Sequence, residues 1–186
     1  MAKLAVLASG SGSNFEAIAE AFAESGHEIC CLICDRRDAY AFKRAEKFGI
    51  QSFYISYYKR ERADAELEII SKLEECRADL IALAGFMRLL TPVFVDHFQD
   101  RIINIHPSLL PKYPGTHGIQ DSFESEDTEL GITIHRIDHG LDTGPIIMQK
   151  SFSRVGNESL DEIETRIHDL EHQNYPAVLL EILDAI

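Results

Sequence analysis

The short apolar run from Lys3 to Ala8 passes directly into Ser9-Gly10-Ser11-Gly12-Ser13-Asn14, after which Phe15, Ile18, Ala19 and Phe22 recur at helical spacing. A strand that ends in a glycine-rich turn and restarts as an amphipathic helix is the first half of a βαβ unit, because parallel strands need a crossover that packs back on the sheet. The pattern then repeats. His27 to Cys34 is extended, a helix is expected from Tyr40 to Phe48, where Gly49 stops it, and Gln51 to Ile55 is extended again. A charged amphipathic helix is expected from Arg60 to Glu75, followed by Asp79 to Ala84, a continuous apolar run of the kind a parallel sheet buries on both faces. Beyond Gly85, a short helix near Pro92 to Phe98 leads to a strand from Arg101 to Ile105 and a proline-rich loop from His106 to Gly115. The second half changes character. Gly131 to Ile137 alternates as a strand, Pro145 to Gln149 begins another, and the turn between them carries Gly140 and Gly144. Leu160 to Ile186 has helical periodicity interrupted by Pro176, which reads as two helices or one with a kink. The expectation is an α/β fold, a doubly wound and mostly parallel sheet with a mixed C-terminal part, in one domain over residues 1–186.

Composition narrows the partners. No apolar run approaches the roughly 20 residues of a membrane span, and the N-terminal residues run straight into a strand, so a cytoplasmic protein is expected. A formal net charge of −13, with no large Lys/Arg cluster, would repel a nucleic-acid backbone. Of the cysteines, Cys30, Cys31, Cys34 and Cys76, the pair in Cys31-Leu32-Ile33-Cys34 has metal-ligand spacing but lacks a second Cys/His pair. Within Ile29 to Cys34 they read as small hydrophobes of a buried strand, reduced as suits the cytoplasm.

Three segments can carry chemistry. Ser9 to Asn14 offers backbone N–H groups, hydroxyls and an amide at a helix N-terminus, a favourable place for a phosphate, although the same residues are ordinary helix-capping material. Phe15 and Glu16 stand where a dinucleotide or Walker loop needs glycine or Lys-Ser/Thr, so a dinucleotide is not expected. Asn104-Ile105-His106-Pro107 lies at the carboxyl end of a strand, where open α/β sheets hold ligands, and two-residue spacing turns Asn104 and His106 to one side. Pro107, Pro111 and Pro114 stiffen the loop that follows. Asp142 sits in a turn between Gly140 and Gly144, where an isolated acid is more often a turn former than a catalyst.

In order, these segments join Leu83-Ala84-Gly85-Phe86-Met87-Arg88, Tyr113-Pro114-Gly115, Asp142 to Ile147 and Leu170-Glu171-His172, blocks collinear over nearly the whole chain. Through them the chain resembles the glycinamide ribonucleotide formyltransferase family. The resemblance implies a Rossmann-like formyltransferase domain whose N-terminal half binds the phosphorylated substrate and whose C-terminal half binds folate and carries catalysis. It implies Asn104, His106 and Asp142 as the catalytic group, Gly12, Ser13 and Asn14 on the substrate phosphate, Glu171 on its ribose, and Met87 at the border of substrate and folate. It further implies 10-formyltetrahydrofolate as co-substrate, beside Arg88, Leu89, Leu90, Val95 and the Asp138-His139-Gly140-Leu141 loop. Arg60 joins them on a looser match as a cation for the folate glutamate tail, its alternative being a solvated helix face. His117 and His135 also match family positions, but read as packed histidines in the core or behind the site. The partners implied are small molecules, glycinamide ribonucleotide and folate, with no nucleic acid and no membrane, for a monomer or weak homodimer.

The chemistry agrees with this set. A neutral amine attacking a formyl carbon creates a developing oxyanion, which needs donors already in place, an amide from Asn104 and a charged imidazole from His106. The nitrogens must also exchange protons, and Asp142 supplies a carboxylate that can relay them through water. No metal is required. A formyltetrahydrofolate hydrolase shares this logic, though that group differs where Pro107 stands; a tRNA formyltransferase is expected to carry a basic C-terminal domain. A catalytically silent phosphate- or folate-binding protein is disfavoured by the intact Asn/His/Asp set.

Overall fold

The computed structural model describes residues 1–186, and in it the apolar runs become strands and the periodic segments helices. Their order is β1 (Lys3–Ala8), α1 (Ser13–Phe22), β2 (Glu28–Cys34), α2 (Ala41–Lys47), β3 (Ser52–Tyr54), α3 (Arg62–Cys76) and β4 (Leu80–Leu83). There follow α4 (Pro92–His97), β5 (Ile102–His106), α5 (Gly118–Glu124), β6 (Glu129–Arg136), β7 (Ile146–Ser153) and α6 (Leu160–Asp184). One seven-stranded sheet has the order β3-β2-β1-β4-β5-β6-β7. The five N-terminal strands are parallel, and β6 and β7 add on antiparallel, which is the mixed C-terminal part expected.

Alternate residues of β1 feed opposite layers. Leu4, Val6 and Ala8 pack with Phe15 and Ile18 of α1 and with Ile163, Ile167 and Val178 of α6. Ala5 and Leu7 pack with Ile69 and Leu73 of α3 and Phe94 of α4. Burial on both faces is why these strands read as unbroken apolar runs. Between Leu4 and Ala5 the β1–β2 register shifts: Leu4 faces Ile29 and Ala5 faces Cys31, so Cys30 is the extra residue of a bulge.

One element differs from expectation: the short α5 has no counterpart in the sequence reading. Of the two alternatives for the C-terminal segment, the structure takes the single helix, continuous through Pro176. A proline inside a helix costs about 3 kcal/mol or more. Against this, Tyr175, Val178 and Leu179 are buried just there, and burying side chains of that size contributes roughly 1.5–3 kcal/mol each. The Tyr175 hydroxyl also bonds the carbonyls of Leu83 at 3.1 Å and Ile103 at 2.8 Å, tying the helix to β4 and β5. At its other end α6 is closed by a capping box between Ser159 and Glu162.

Candidate active site

Strand order reverses between β1 and β4, and at such a switch point the carboxyl ends of the strands diverge to leave a crevice. Here it holds two adjoining cavities, of about 440 Å³ and about 230 Å³, which share Gly85, Met87, Ile105, Pro107 and Thr116 in their walls.

Residues Ser9 to Asn14 line the larger cavity. Ser9 anchors this loop, its N–H donating to the Gly85 carbonyl at 3.1 Å and its hydroxyl accepting from the Met87 N–H at 2.8 Å. The Gly10 carbonyl accepts from the Ala41 N–H at 3.2 Å and the Ser11 carbonyl from Arg44 Nε at 2.9 Å. With the carbonyls so engaged, the N–H groups of residues 10–15 donate to no protein acceptor, and they converge on the start of α1. That is the donor array an anion requires. Gly12 has φ 73° and lies so close to α2 that a Cβ there would be 2.7 Å from the Ala41 Cβ.

The Asn14 side chain is partly committed elsewhere: its Nδ2 donates to Glu171 Oε2 at 2.9 Å, and His168 Nδ1 donates to the same oxygen at 2.9 Å. Glu171 is buried, and its hydrogen bond pushes the His168 pKa above the usual imidazole value, which favours a positive charge on the cavity wall. Arg36, Gln120 and Glu164 also line this cavity, and the sequence reading missed them, as it did His168. His117, expected to be packed, is exposed on the same wall, because the inward face of α5 is carried by Gly118 and Ser122.

Asn104, His106 and Asp142 meet in the wall of the smaller cavity. Buried His106 donates from Nε2 to the Tyr113 carbonyl at 2.8 Å, which turns Nδ1 toward Asp142 Oδ2 at 3.5 Å. Asp142 has φ 54°, and the same Oδ2 accepts the Gly115 N–H at 2.8 Å, so the proline-rich loop holds the carboxylate in place. Its other oxygen lies 3.8 Å from His135 Nε2. His135 is fully buried, as a packed histidine was expected to be, and stands opposite Asn104 across the β5–β6 ladder. Its Nδ1 is 2.9 Å from the Arg136 carbonyl, which can only accept, so Nδ1 carries the proton and Nε2 accepts from Asn104 Nδ2 at 3.1 Å. Burial pushes the His135 pKa below the ordinary value and keeps the ring neutral, as that arrangement needs.

Around these polar groups the smaller cavity is apolar, with Phe86, Met87, Leu89, Leu90, Ile137 and Leu141 in its walls beside Arg88, Asp138 and Gly140. Arg88 Nε is bound at 2.5 Å by Asp35, a carboxylate buried at the end of β2. Asp138 shapes the turn by accepting from the Gly140 N–H at 2.9 Å and the Thr143 hydroxyl at 2.7 Å. Three expected residues lie away from the cavity. Val95 is on the inward face of α4, buried in the layer with Phe94 and Phe98. Exposed His139 pairs with Asp96 at 2.8 Å. Arg60 is held by Glu68 at 2.7 Å and by the carbonyls of Ser56 and Asp64, a local helix-end cluster.

Comparison with known proteins gives a consistent picture. A family profile described as formyl transferase matches residues 2–179. The phosphoribosylglycinamide formyltransferase of Bacillus subtilis (strain 168) is 44% identical over 98% of this chain and 95% of its own length. That of Escherichia coli (strain K12) is 38% identical over 95% of this chain and 84% of its own. The crystal structure of the Streptococcus pneumoniae TIGR4 phosphoribosylglycinamide formyltransferase superposes with a TM-score of 0.92 at 40% identity, covering 98% of this chain and 99% of that one.

Proposed function

Because this chain belongs to the formyl transferase family, among the phosphoribosylglycinamide formyltransferases, we propose that it transfers a formyl group from 10-formyltetrahydrofolate to the amine of glycinamide ribonucleotide in purine biosynthesis. The observation that carries the reading is the junction of the two cavities: an anion-binding loop in one, an apolar slot in the other, and Asn104, His106 and Asp142 beside their shared wall.

The two cavities suit the two substrates. The free N–H groups of residues 10–15 fit a phosphate, and Glu171 and His168 stand across the same cavity where ribose hydroxyls need partners. The apolar walls from Phe86 to Leu90 fit a flat heterocycle, with Arg88 near its carboxylate-bearing end. The folate supplies the electrophilic formyl carbon. Asn104 gives one amide hydrogen to His135, and its second stays available for the formyl oxygen as negative charge builds there. His106 presents Nδ1 as the second donor when protonated, with Asp142 as its counter-ion. Asp142 also takes the proton that the attacking amine loses, through water, and passes one toward the leaving nitrogen.

The test is to follow deformylation of 10-formyltetrahydrofolate by purified protein with and without glycinamide ribonucleotide. Turnover that depends on the amine supports transfer; equal turnover in its absence would make the protein a hydrolase.

A further inference from the structure

The sequence singles out Cys31 and Cys34 by their spacing, yet these side chains point to opposite layers of the core. The bulge in β2 selects a different group. A regular strand would send Cys30 and Cys31 to opposite faces. With Cys30 as the extra residue, both pack in the α3 layer with Ala5, Ile69 and Leu73. Cys76, the last residue of α3, closes over them, and the three sulfurs lie within 4.8 Å of one another. All are free thiols. Cys30 and Cys31 are buried, whereas Cys76 is half-buried and leaves a way in from solvent.

We propose that Cys30, Cys31 and Cys76 form a binding site for one soft monovalent metal ion, Cu(I). The donor set decides the ion. Thiolates select soft cations, and no His, Asp or Glu joins the three sulfurs to complete the four-coordinate shell that zinc takes. Coordination replaces S–H by S–Cu bonds, the protons go to solvent, and copper stays at +1, so no electron acceptor is involved. The cluster sits at the amino end of the strands, where α3 ends just before β4, and so at the opposite edge of the sheet from the crevice. Bound metal would staple α3 to β2 without touching the reaction.

The experiment is an anaerobic titration of the reduced full chain with Cu(I) held by the chromophoric competitor bicinchoninate, with X-ray absorption on the product. One Cu(I) per chain in a sulfur-only shell is expected. Cys76→Ser and Cys30→Ser should each weaken binding by at least about 10²-fold, because losing even a residue that only orients a ligand costs about 10- to 100-fold. Cys34→Ala, a thiol lost from the other layer, should bind like the parent. Since metal that binds only the folded state raises its stability, Cu(I) should also raise the Tm of the parent and of Cys34→Ala but not of Cys76→Ser. Cys76 is half-buried, so its replacement opens no core cavity, and circular dichroism will verify that it folds. No uptake by the parent, uptake indifferent to Cys76→Ser, or equal loss in Cys34→Ala would overturn the proposal.

Discussion

At the scale of single residues, the site depends on which hydrogen each polar atom gives away. Asn104 can direct a hydrogen into the cavity because His135, neutral and protonated on Nδ1, takes the other. Asn104→Ala should lower turnover about 10²- to 10³-fold, or roughly 3–4 kcal/mol, with the fold unchanged by circular dichroism; parental turnover would remove Asn104 from the mechanism. His135 has a further effect on pH dependence. The unfolded chain takes up a proton near the ordinary imidazole value of 6.5, whereas buried His135 resists it to lower pH. Between those two values the unfolded state holds more protons, so stability is complete above 6.5 and falls as pH drops toward the lowered folded value. Denaturant melts across that window should show the slope, and His135→Gln should flatten it. Such pairings explain what the sequence hid. Asn104, His106 and Asp142 were visible as polar residues at a strand end and in a glycine turn, but the partner of Asn104 lies across a ladder whose register no local pattern states. Val95, His139 and Arg60 were placed beside the folate by resemblance, and a resemblance does not say that Val95 faces the core, that His139 pairs with Asp96 or that Arg60 pairs with Glu68.

Among the elements, the parallel strands were legible because burial on both faces leaves an apolar signature, and α1 because its loop and its periodicity agree. By contrast α5 spans seven residues and follows a loop rich in proline and glycine, too short for a repeat to register. The loop before α1 is held by contact with a neighbouring element as much as by its own sequence. Gly12 meets the first turn of α2, so Gly12→Ala must displace either the loop or the helix, at a φ that disfavours any side chain. We expect affinity for the phosphorylated substrate to fall by at least tenfold while affinity for folate changes little, as calorimetry with each ligand would measure. Equal losses for both ligands would mean that the loop serves the whole crevice instead of the anion alone.

For the molecule as a whole, α6 is the element on which the others wait. Its residues Ile163, Ile167, Tyr175, Val178, Leu179 and Leu183 complete the layer begun by Leu4, Val6 and Leu80, and the Tyr175 hydroxyl reaches the carbonyls of both β4 and β5. Tyr175→Phe keeps the ring but leaves two buried carbonyls without that donor. It should cost about 1–3 kcal/mol of unfolding free energy in urea melts. A loss below a few tenths would show that the carbonyls find other partners. The same arrangement bears on how the protein is made. A ribosome delivers all seven strands before it delivers α6, so for that interval the strands can pair while the part of one oily face that α1 and α2 leave uncovered looks out on water. The nascent chain is then adhesive just when its sheet is complete, and the helix that ends this exposure is synthesised after every strand it covers.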